Sequence, residues 1–137
     1  MKNAITIEAI VSAPLSEIWE YWTLPKHIIN WNNASDDWHT TKSENDLRTG
    51  GRFLSRMEAK DGSFGFDFEG TYTEIEKHKL ISYVMDDDRK ATTSFKALSD
   101  HKTKIVTTFE AEDTNPIQMQ KDGWQAILNN FKKYTEA

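Results

Sequence analysis

Five strand-like segments follow one another through the middle of this sequence, and one helix-like segment ends it. Strand signals cover residues 52–59, 64–75, 80–85, 91–98 and 103–111, and in most of these segments apolar and polar side chains alternate with the period of half-buried strands. Short polar turns such as Asp61-Gly62 join these segments. The pattern predicts an antiparallel meander, and Gly70 within it predicts a bulge or the close approach of another group.

The first third of the chain predicts one more strand and two short helices. Ile5 to Val11 alternates in polarity, and Pro14 then precedes an apolar stripe at helical spacing. Thr23-Leu24-Pro25 ends this helix and starts a second one, because proline is tolerated only at a helix start. Residues 30–45 are polar and irregular, and we expect a loop there whose aromatic residues rest on the core.

The last segment predicts a long helix over residues 116–135. Asn115 is a good N-cap residue, Pro116 suits the first turn, and an apolar stripe from Trp124 to Phe131 indicates one buried face. Gly123 inside the helix predicts a packing reason or a local deformation. The order of elements favours an α+β fold in which a curved antiparallel sheet of about six strands surrounds this helix, and such a fold encloses a cavity when inward side chains leave space.

Composition narrows the function. The length of 137 residues predicts one domain spanning 1–137, and 7 Phe, 5 Trp and 4 Tyr supply a core despite a hydrophobic content of 37%. A net charge of −5 without a basic stripe argues against nucleic acid. The absence of cysteine excludes disulfides, thiol catalysis and Cys-bound zinc. Without a signal peptide or a long apolar run, we expect no membrane insertion and a cytoplasmic location.

Several motifs occur in order along the chain: Ala13-Pro14, Ile18-Trp19, Trp22-Thr23, Pro25, Trp31, and the segments 47–53, 68–75 and 123–128. Together they resemble the single-domain branch of the Hsp90-ATPase-activator-homologue (AHSA1-like) family, within the START/Bet v 1-like (SRPBCC) superfamily. The resemblance implies a helix-grip fold: a curved antiparallel sheet around a long C-terminal helix, two short helices after the first strand, and a pocket between sheet and helix.

The resemblance leaves the function open, because superfamily members bind lipids, hormones or polyketides, and a few catalyse cyclisation or hydrolysis. The family's two-domain co-chaperone contacts Hsp90 mainly through a separate N-terminal domain. This sequence starts at the first strand of the helix-grip unit, which argues against Hsp90 activation.

The aromatic residues on the predicted facing elements are the candidate lining of that pocket. The row Phe64, Phe66, Phe68 and Tyr72 shares one face of a strand, and indole rings offer a flat apolar wall with one donor. The candidate ligand-binding residues are Trp31, Trp38, Phe53, Met57, Phe66, Phe68, Tyr72, Phe95, Trp124 and Leu128. Packing of the same side chains into a plain core is the alternative.

No residue pattern indicates catalysis, a metal or a cofactor. Asp67 and Glu69 share the strand face opposite the phenylalanines, so we expect them in solvent, paired with Arg52 and Arg56. A reversed strand face would instead bring these acids into the pocket as a general acid and base. The run Asp86-Asp87-Asp88 lacks the pattern of a calcium loop and predicts a solvated turn.

Three functional hypotheses follow. The first is a binding protein for a small apolar or amphipathic ligand held without cofactor or covalent chemistry. The second is an enzyme of the polyketide-cyclase or hydrolase type, which requires an ionisable group inside the pocket. The third is a protein-interaction module, such as a chaperone partner, which requires a contiguous exposed apolar patch. A homodimer through sheet edges or the aromatic loop is compatible with each.

Overall fold

The computed structural model describes all residues from Met1 to Ala137. Its elements in chain order are β1 (Ala4–Val11), α1 (Leu15–Thr23), α2 (Pro25–Trp31), β2 (Trp38–Asn45), β3 (Arg52–Ala59), β4 (Gly65–Glu76), β5 (Leu80–Met85), β6 (Lys90–Ser99), β7 (Lys102–Glu110) and α3 (Ile117–Glu136). The predicted α+β fold is confirmed: the strands form one antiparallel sheet that curls around α3, with two short helices after β1.

The sheet has seven strands in the order β1-β7-β6-β5-β4-β3-β2, so the expectation of about six strands is corrected. The additional strand is β2, which lies within the segment expected to be a loop. It is an edge strand that pairs only with β3, and a register shift at Thr41 interrupts its alternation. A polar edge strand with a bulge lacks the period that marks the other strands.

The two short helices close one end of the sheet through a cluster of aromatic rings. Trp22 of α1 and Trp31 of α2 each meet the ring of Phe131 on α3 edge-on, with ring centroids 4.9 Å apart in both pairs. The indole N–H of Trp31 donates to the carbonyl of Tyr21 at 3.0 Å. Because Phe131 is fully buried, the three helices are fixed relative to one another at this point.

The long helix differs from its prediction in two details. It begins at Ile117, and Pro116 occupies the cap position, so Asn115 is not the N-cap. The Glu112 carboxylate instead accepts the backbone N–H of Asn115 at 2.7 Å. A Cβ added at Gly123 meets no atom within 4 Å, so the expected packing reason for this glycine is wrong. None of the three helices is long and apolar enough to cross a bilayer.

Candidate functional site

A cavity of about 330 Å³ lies between the concave face of the sheet and α3. Its 14 apolar lining residues come from both layers. The sheet provides Ile7, Phe53, Met57, Phe66, Phe68, Tyr72, Ile81 and Tyr83, and the helices provide Trp22, Ile28, Trp31, Trp124, Ile127 and Leu128. Phe66 is the most exposed of these residues, at 41%, and it marks an opening at the start of β4.

Eight of the ten residues predicted from the sequence lie around this cavity. They are Trp31, Phe53, Met57, Phe66, Phe68, Tyr72, Trp124 and Leu128. The strand members face inward because the pleat sends alternate residues to one side, and β3 and β4 pair Phe68 with Ser55 and Phe66 with Met57. Trp124 is held in place by parallel stacking on Phe109, with ring centroids 3.9 Å apart.

Trp38 and Phe95 lie outside the cavity. Trp38 is the first residue of β2 and packs against Phe64 and Phe66 at the end of the sheet, with ring centroids 6.0 and 5.9 Å away. Phe95 is buried on the concave side, but Trp19 and Trp22 of α1 cover its ring at 5.4 and 5.6 Å. Alternation predicts a facing side but not how far the cavity extends along a strand.

A hydrogen-bonded chain joins three elements at one wall of the cavity. The Tyr72 hydroxyl donates to Asn45 Oδ1 at 2.5 Å, and Asn45 Nδ2 donates to the Thr23 carbonyl at 2.6 Å. The chain therefore ties β4 to the edge strand β2 and to the end of α1. Burial raises the pKa of Tyr72 well above its usual value, so the hydroxyl remains a donor at neutral pH.

Other polar groups face the cavity from the central strands. One hydrogen bond of 2.8 Å joins the hydroxyls of Thr93 and Thr107. The hydroxyls of Ser55 and Tyr83 line the cavity without a protein partner. Thr135 Oγ1 is the one side-chain polar atom that has neither a hydrogen-bond partner nor accessible surface. The unpaired hydroxyls of Ser55 and Tyr83 therefore have accessible surface, which faces the space between sheet and helix. Burial raises the pKa of Tyr83, which keeps it protonated at neutral pH.

Gly70 permits the close packing that forms the cavity floor. A Cβ at this position would lie 2.5 Å from the Val84 carbonyl oxygen and 2.9 Å from the ring of Phe53. The Phe53 ring consequently lies over Gly70 and meets Tyr83 edge-on, with centroids 4.8 Å apart. This is the close approach predicted at Gly70. The irregular position of β4 is three residues later, at Thr73.

The acidic pair of β4 faces away from the cavity, as expected. Arg56 Nη1 lies 3.4 Å from Asp67 Oδ1, and Arg52 Nη2 lies 3.5 Å from Glu69 Oε1. Arg52 also forms a two-pronged bond with Asp86, both distances being 2.9 Å, and this bond lowers the pKa of the Asp86 carboxyl. The reversed strand face is thus excluded. No group of three His, Asp or Glu side chains is arranged to hold a metal.

Most of the polar lining of the cavity could not be predicted from the sequence, because these residues lie in segments that looked like a polar loop, a turn or the plain interior of a strand. They are Asn32, Ser43, Glu44, Asn45, Ser55, Arg89, Thr93 and Thr107. The alternation of side chains along each strand was the signal available in the sequence. Ser55 lies midway between Phe53 and Met57, and Thr107 between Ile105 and Phe109, so both occupy inward positions.

An antiparallel sheet wrapped around a C-terminal helix, with a cavity between the two, defines the helix-grip class of START/Bet v 1-like proteins. The chain belongs to the Activator of Hsp90 ATPase homolog 1-like family, whose model matches residues 12–136. A search of curated proteins found no match.

Solved structures with the same architecture include two at nearly half identity. The AHSA1-like protein from Aeromonas hydrophila is 46% identical with a TM-score of 0.91, and the match covers 97% of this chain and 92% of that one. A protein from Cytophaga hutchinsonii is 47% identical with a TM-score of 0.85, over 98% and 92% of the two chains. A Chromobacterium violaceum protein shares the fold at 24% identity, with a TM-score of 0.87 over 98% and 99%.

Proposed function

We propose that this protein binds one small apolar or amphipathic molecule in the cavity between the sheet and α3. The observation that carries the proposal is the space itself: about 330 Å³, bordered mainly by aromatic and aliphatic side chains. Ligand cavities in proteins typically hold about 300 to 1,000 Å³ and combine an apolar wall with a few polar groups. At about 30 Å³ per molecule, the space equals about ten waters.

The size of the cavity sets the affinity to expect. A ligand that buries about 300 Å² of apolar surface gains about 7.5 kcal/mol from its removal from water. Association costs several kcal/mol, so a net gain of a few kcal/mol remains, which corresponds to dissociation constants of about a millimolar or weaker. A titration must therefore detect partial saturation at high micromolar ligand before binding is judged absent.

The cavity chemistry favours binding over acid–base catalysis. No histidine borders it, and its one carboxylate, Glu44, is 63% exposed and lies 3.3 Å from Lys42. The raised pKa values of Tyr72 and Tyr83 keep both hydroxyls protonated, so neither supplies a general base at neutral pH.

The surface offers less support for a protein-interaction module. Among the exposed large apolar residues, Ile10, Ile29 and Leu98 lie on three different elements, and Ile117 and Met119 lie in the first turn of α3. Scattered apolar residues of this kind are common on protein surfaces. The grouped rings are those of Trp38, Phe64 and Phe66, and Phe66 also borders the cavity opening.

A neutral probe tests the proposal. Decan-1-ol is titrated into the full chain while tryptophan emission is recorded, because Trp22, Trp31 and Trp124 line the cavity. We expect a concentration-dependent change in emission, with amide NMR shifts concentrated on β3, β4 and α3. Absence of amide shifts on these elements up to the solubility limit of the probe would refute the proposal.

A blocked cavity provides the matched comparison. Ser55→Leu places a larger side chain into the space and removes no hydrogen bond, because the Ser55 hydroxyl has no partner. Ser94→Leu introduces the same side chain at an exposed position of β6. We expect Ser55→Leu to weaken binding at least about tenfold, the equivalent of about 1.4 kcal/mol, and Ser94→Leu to bind as the wild type does. Equal binding by both variants would place the probe elsewhere.

A further inference from the structure

Arg89 is the one basic residue that lines the cavity. It lies in the turn between β5 and β6, where its carbonyl accepts the N–H of Met85 at 2.8 Å. Tyr83 pairs with Ala91 across the same two strands. Because alternate residues share a face, Arg89 points to the concave side together with Tyr83 and Ala91. Its side chain is only 23% exposed, whereas that of Arg48 is 69% exposed.

The protein uses only part of the Arg89 guanidinium. Nε donates to Asp87 Oδ2 at 2.7 Å, and Nη1 donates to the Glu110 carbonyl at 3.4 Å. A guanidinium has five N–H groups in a fixed fork, so Nη2 and one N–H of Nη1 have no partner within the protein. Arg52 differs, because both of its terminal nitrogens are bonded to Asp86.

The Tyr83 hydroxyl provides a second donor without a partner. Its ring is fixed between Phe53 and Phe68, with centroids 4.8 and 6.3 Å away. The Arg89 charge also acts on this hydroxyl, lowering its pKa against the larger effect of burial. The Tyr83 hydroxyl and three N–H groups of the Arg89 guanidinium therefore lack acceptors beside a mainly apolar space, where unpaired donors are costly.

We propose that the ligand of the cavity is a small carboxylic acid whose carboxylate is bound by Arg89 and Tyr83 and whose apolar body packs against Phe68, Trp124 and Leu128. This assignment rests on the function proposed above. One negative charge fits better than two, because a single cation borders the cavity and Asp87 already neutralises part of it. The planar fork also matches a carboxylate, which accepts two parallel bonds.

Two probes of equal chain length measure the contribution of the head group to binding separately from that of the apolar chain. Decanoate and decan-1-ol are titrated into the wild-type chain at low salt and a pH of about 8, with decylamine as the cationic counterpart. We expect decanoate to bind about tenfold to a hundredfold more tightly than decan-1-ol, the range of charge-assisted hydrogen bonds, and decylamine to bind most weakly. This series needs no variant, so a failure of any variant to fold leaves the test intact.

Three variants test whether Arg89 and Tyr83 cause the preference for decanoate over decan-1-ol. Arg89→Gln is expected to bind both probes with the affinity of decan-1-ol, and Tyr83→Phe to lose several-fold in decanoate affinity alone. Asp87→Asn is expected to strengthen decanoate binding, because it releases Nε and removes a competing charge. Arg48→Gln is the matched control: Arg48 bonds Asp46, also two residues before it, at 2.9 Å, but lies outside the cavity.

The outcomes distinguish this assignment from the proposed function. Equal binding of decanoate and decan-1-ol to the wild type, or a preference that survives in Arg89→Gln, would overturn the carboxylate assignment and leave a neutral apolar ligand. Loss of both probes would overturn the binding function itself. Loss of the preference in Arg48→Gln would show that general surface charge, not the cavity, attracts decanoate.

Discussion

Truncation of matched isoleucines tests whether the space beneath α3 exists in solution. Ile81 of β5 borders the cavity and is 3% exposed, whereas Ile105 of β7 is fully buried away from it. Both are strand residues of the core, and alanine removes the same three carbon atoms from each. The transfer cost is about 0.8 kcal/mol per carbon, or about 2.4 kcal/mol.

The two sites differ in what surrounds the removed atoms. Ile105 has neighbours on all sides, so its truncation leaves a new void and loses many dispersion contacts. We expect Ile105→Ala to lower the free energy of unfolding by about 4 kcal/mol, within the usual range of about 2 to 5. Ile81 borders the existing space with a small part of its surface, and truncation enlarges that space, which opens toward solvent near Phe66. Its truncation should therefore cost about 2 to 3 kcal/mol.

Urea denaturation of both variants and the wild type provides the measurement, with m-values compared to confirm that the unfolded states are alike. The expected result is a difference of at least about 1 kcal/mol between the two variants. Equal costs, or a larger cost for Ile81→Ala, would mean that side chains fill the space beside Ile81. That result would refute both the cavity and the binding function built on it.

Three further substitutions test other features of the structure. Gly123→Ala should raise the free energy of unfolding by about 0.5 to 1 kcal/mol in thermal denaturation, because the added Cβ meets nothing within 4 Å; destabilisation would reveal an unseen contact. Gly70→Ala should lower it by about 1 to 3 kcal/mol in urea, because Val84 and Phe53 crowd the new carbon; an unchanged midpoint would contradict the packing described. Burial raises the pKa of Tyr83 and of Tyr72 in the folded state. The free energy of unfolding is therefore unaffected by their titration below about pH 10, and each group lowers it by about 1.4 kcal/mol per pH unit above that. Tyr83→Phe should reduce the loss of stability above pH 10 by about 1.4 kcal/mol per pH unit in denaturation at alkaline pH, and an unchanged loss would show that Tyr83 ionises freely in the folded state.

Strong periodicity made most of the fold predictable. The strands β3, β4, β6 and β7 carry alternating side chains, β5 is a short apolar run, and α3 carries a stripe from Trp124 to Phe131, so local pattern and final position agree. The expectation that Asp67 and Glu69 face solvent followed from the same phase and is confirmed by their ion pairs. In these segments the buried face is apolar, and only then does the alternation of apolar and polar residues show which side chains point inward.

That condition fails in β2. Its inward residues Ser43 and Asn45 border the cavity instead of packing into the core, and the register shift at Thr41 reverses the phase midway. A strand on the edge of a sheet also leaves one row of backbone groups unpaired, where polar residues are favoured. The segment therefore looked like a loop because it serves the cavity, and its most visible residue, Trp38, lies beyond the cavity at the end of the strand.

Short polar residues at inward positions of the sheet explain why the sheet and α3 leave a cavity at all. Below Trp124, Ile127 and Leu128, three inward positions of the sheet hold Ser55, Thr93 and Thr107, whose side chains are too short to fill the layer. A core packed to normal density would place larger aliphatic residues there. A hydrogen bond joins the hydroxyls of Thr93 and Thr107, so neither oxygen is without a partner. Ser55 and Tyr83 do leave unpaired hydroxyls, and a bound acceptor removes that cost. Short inward hydroxyl residues between rows of large rings are thus the sequence signal that distinguishes a lined cavity from a solid core in this fold.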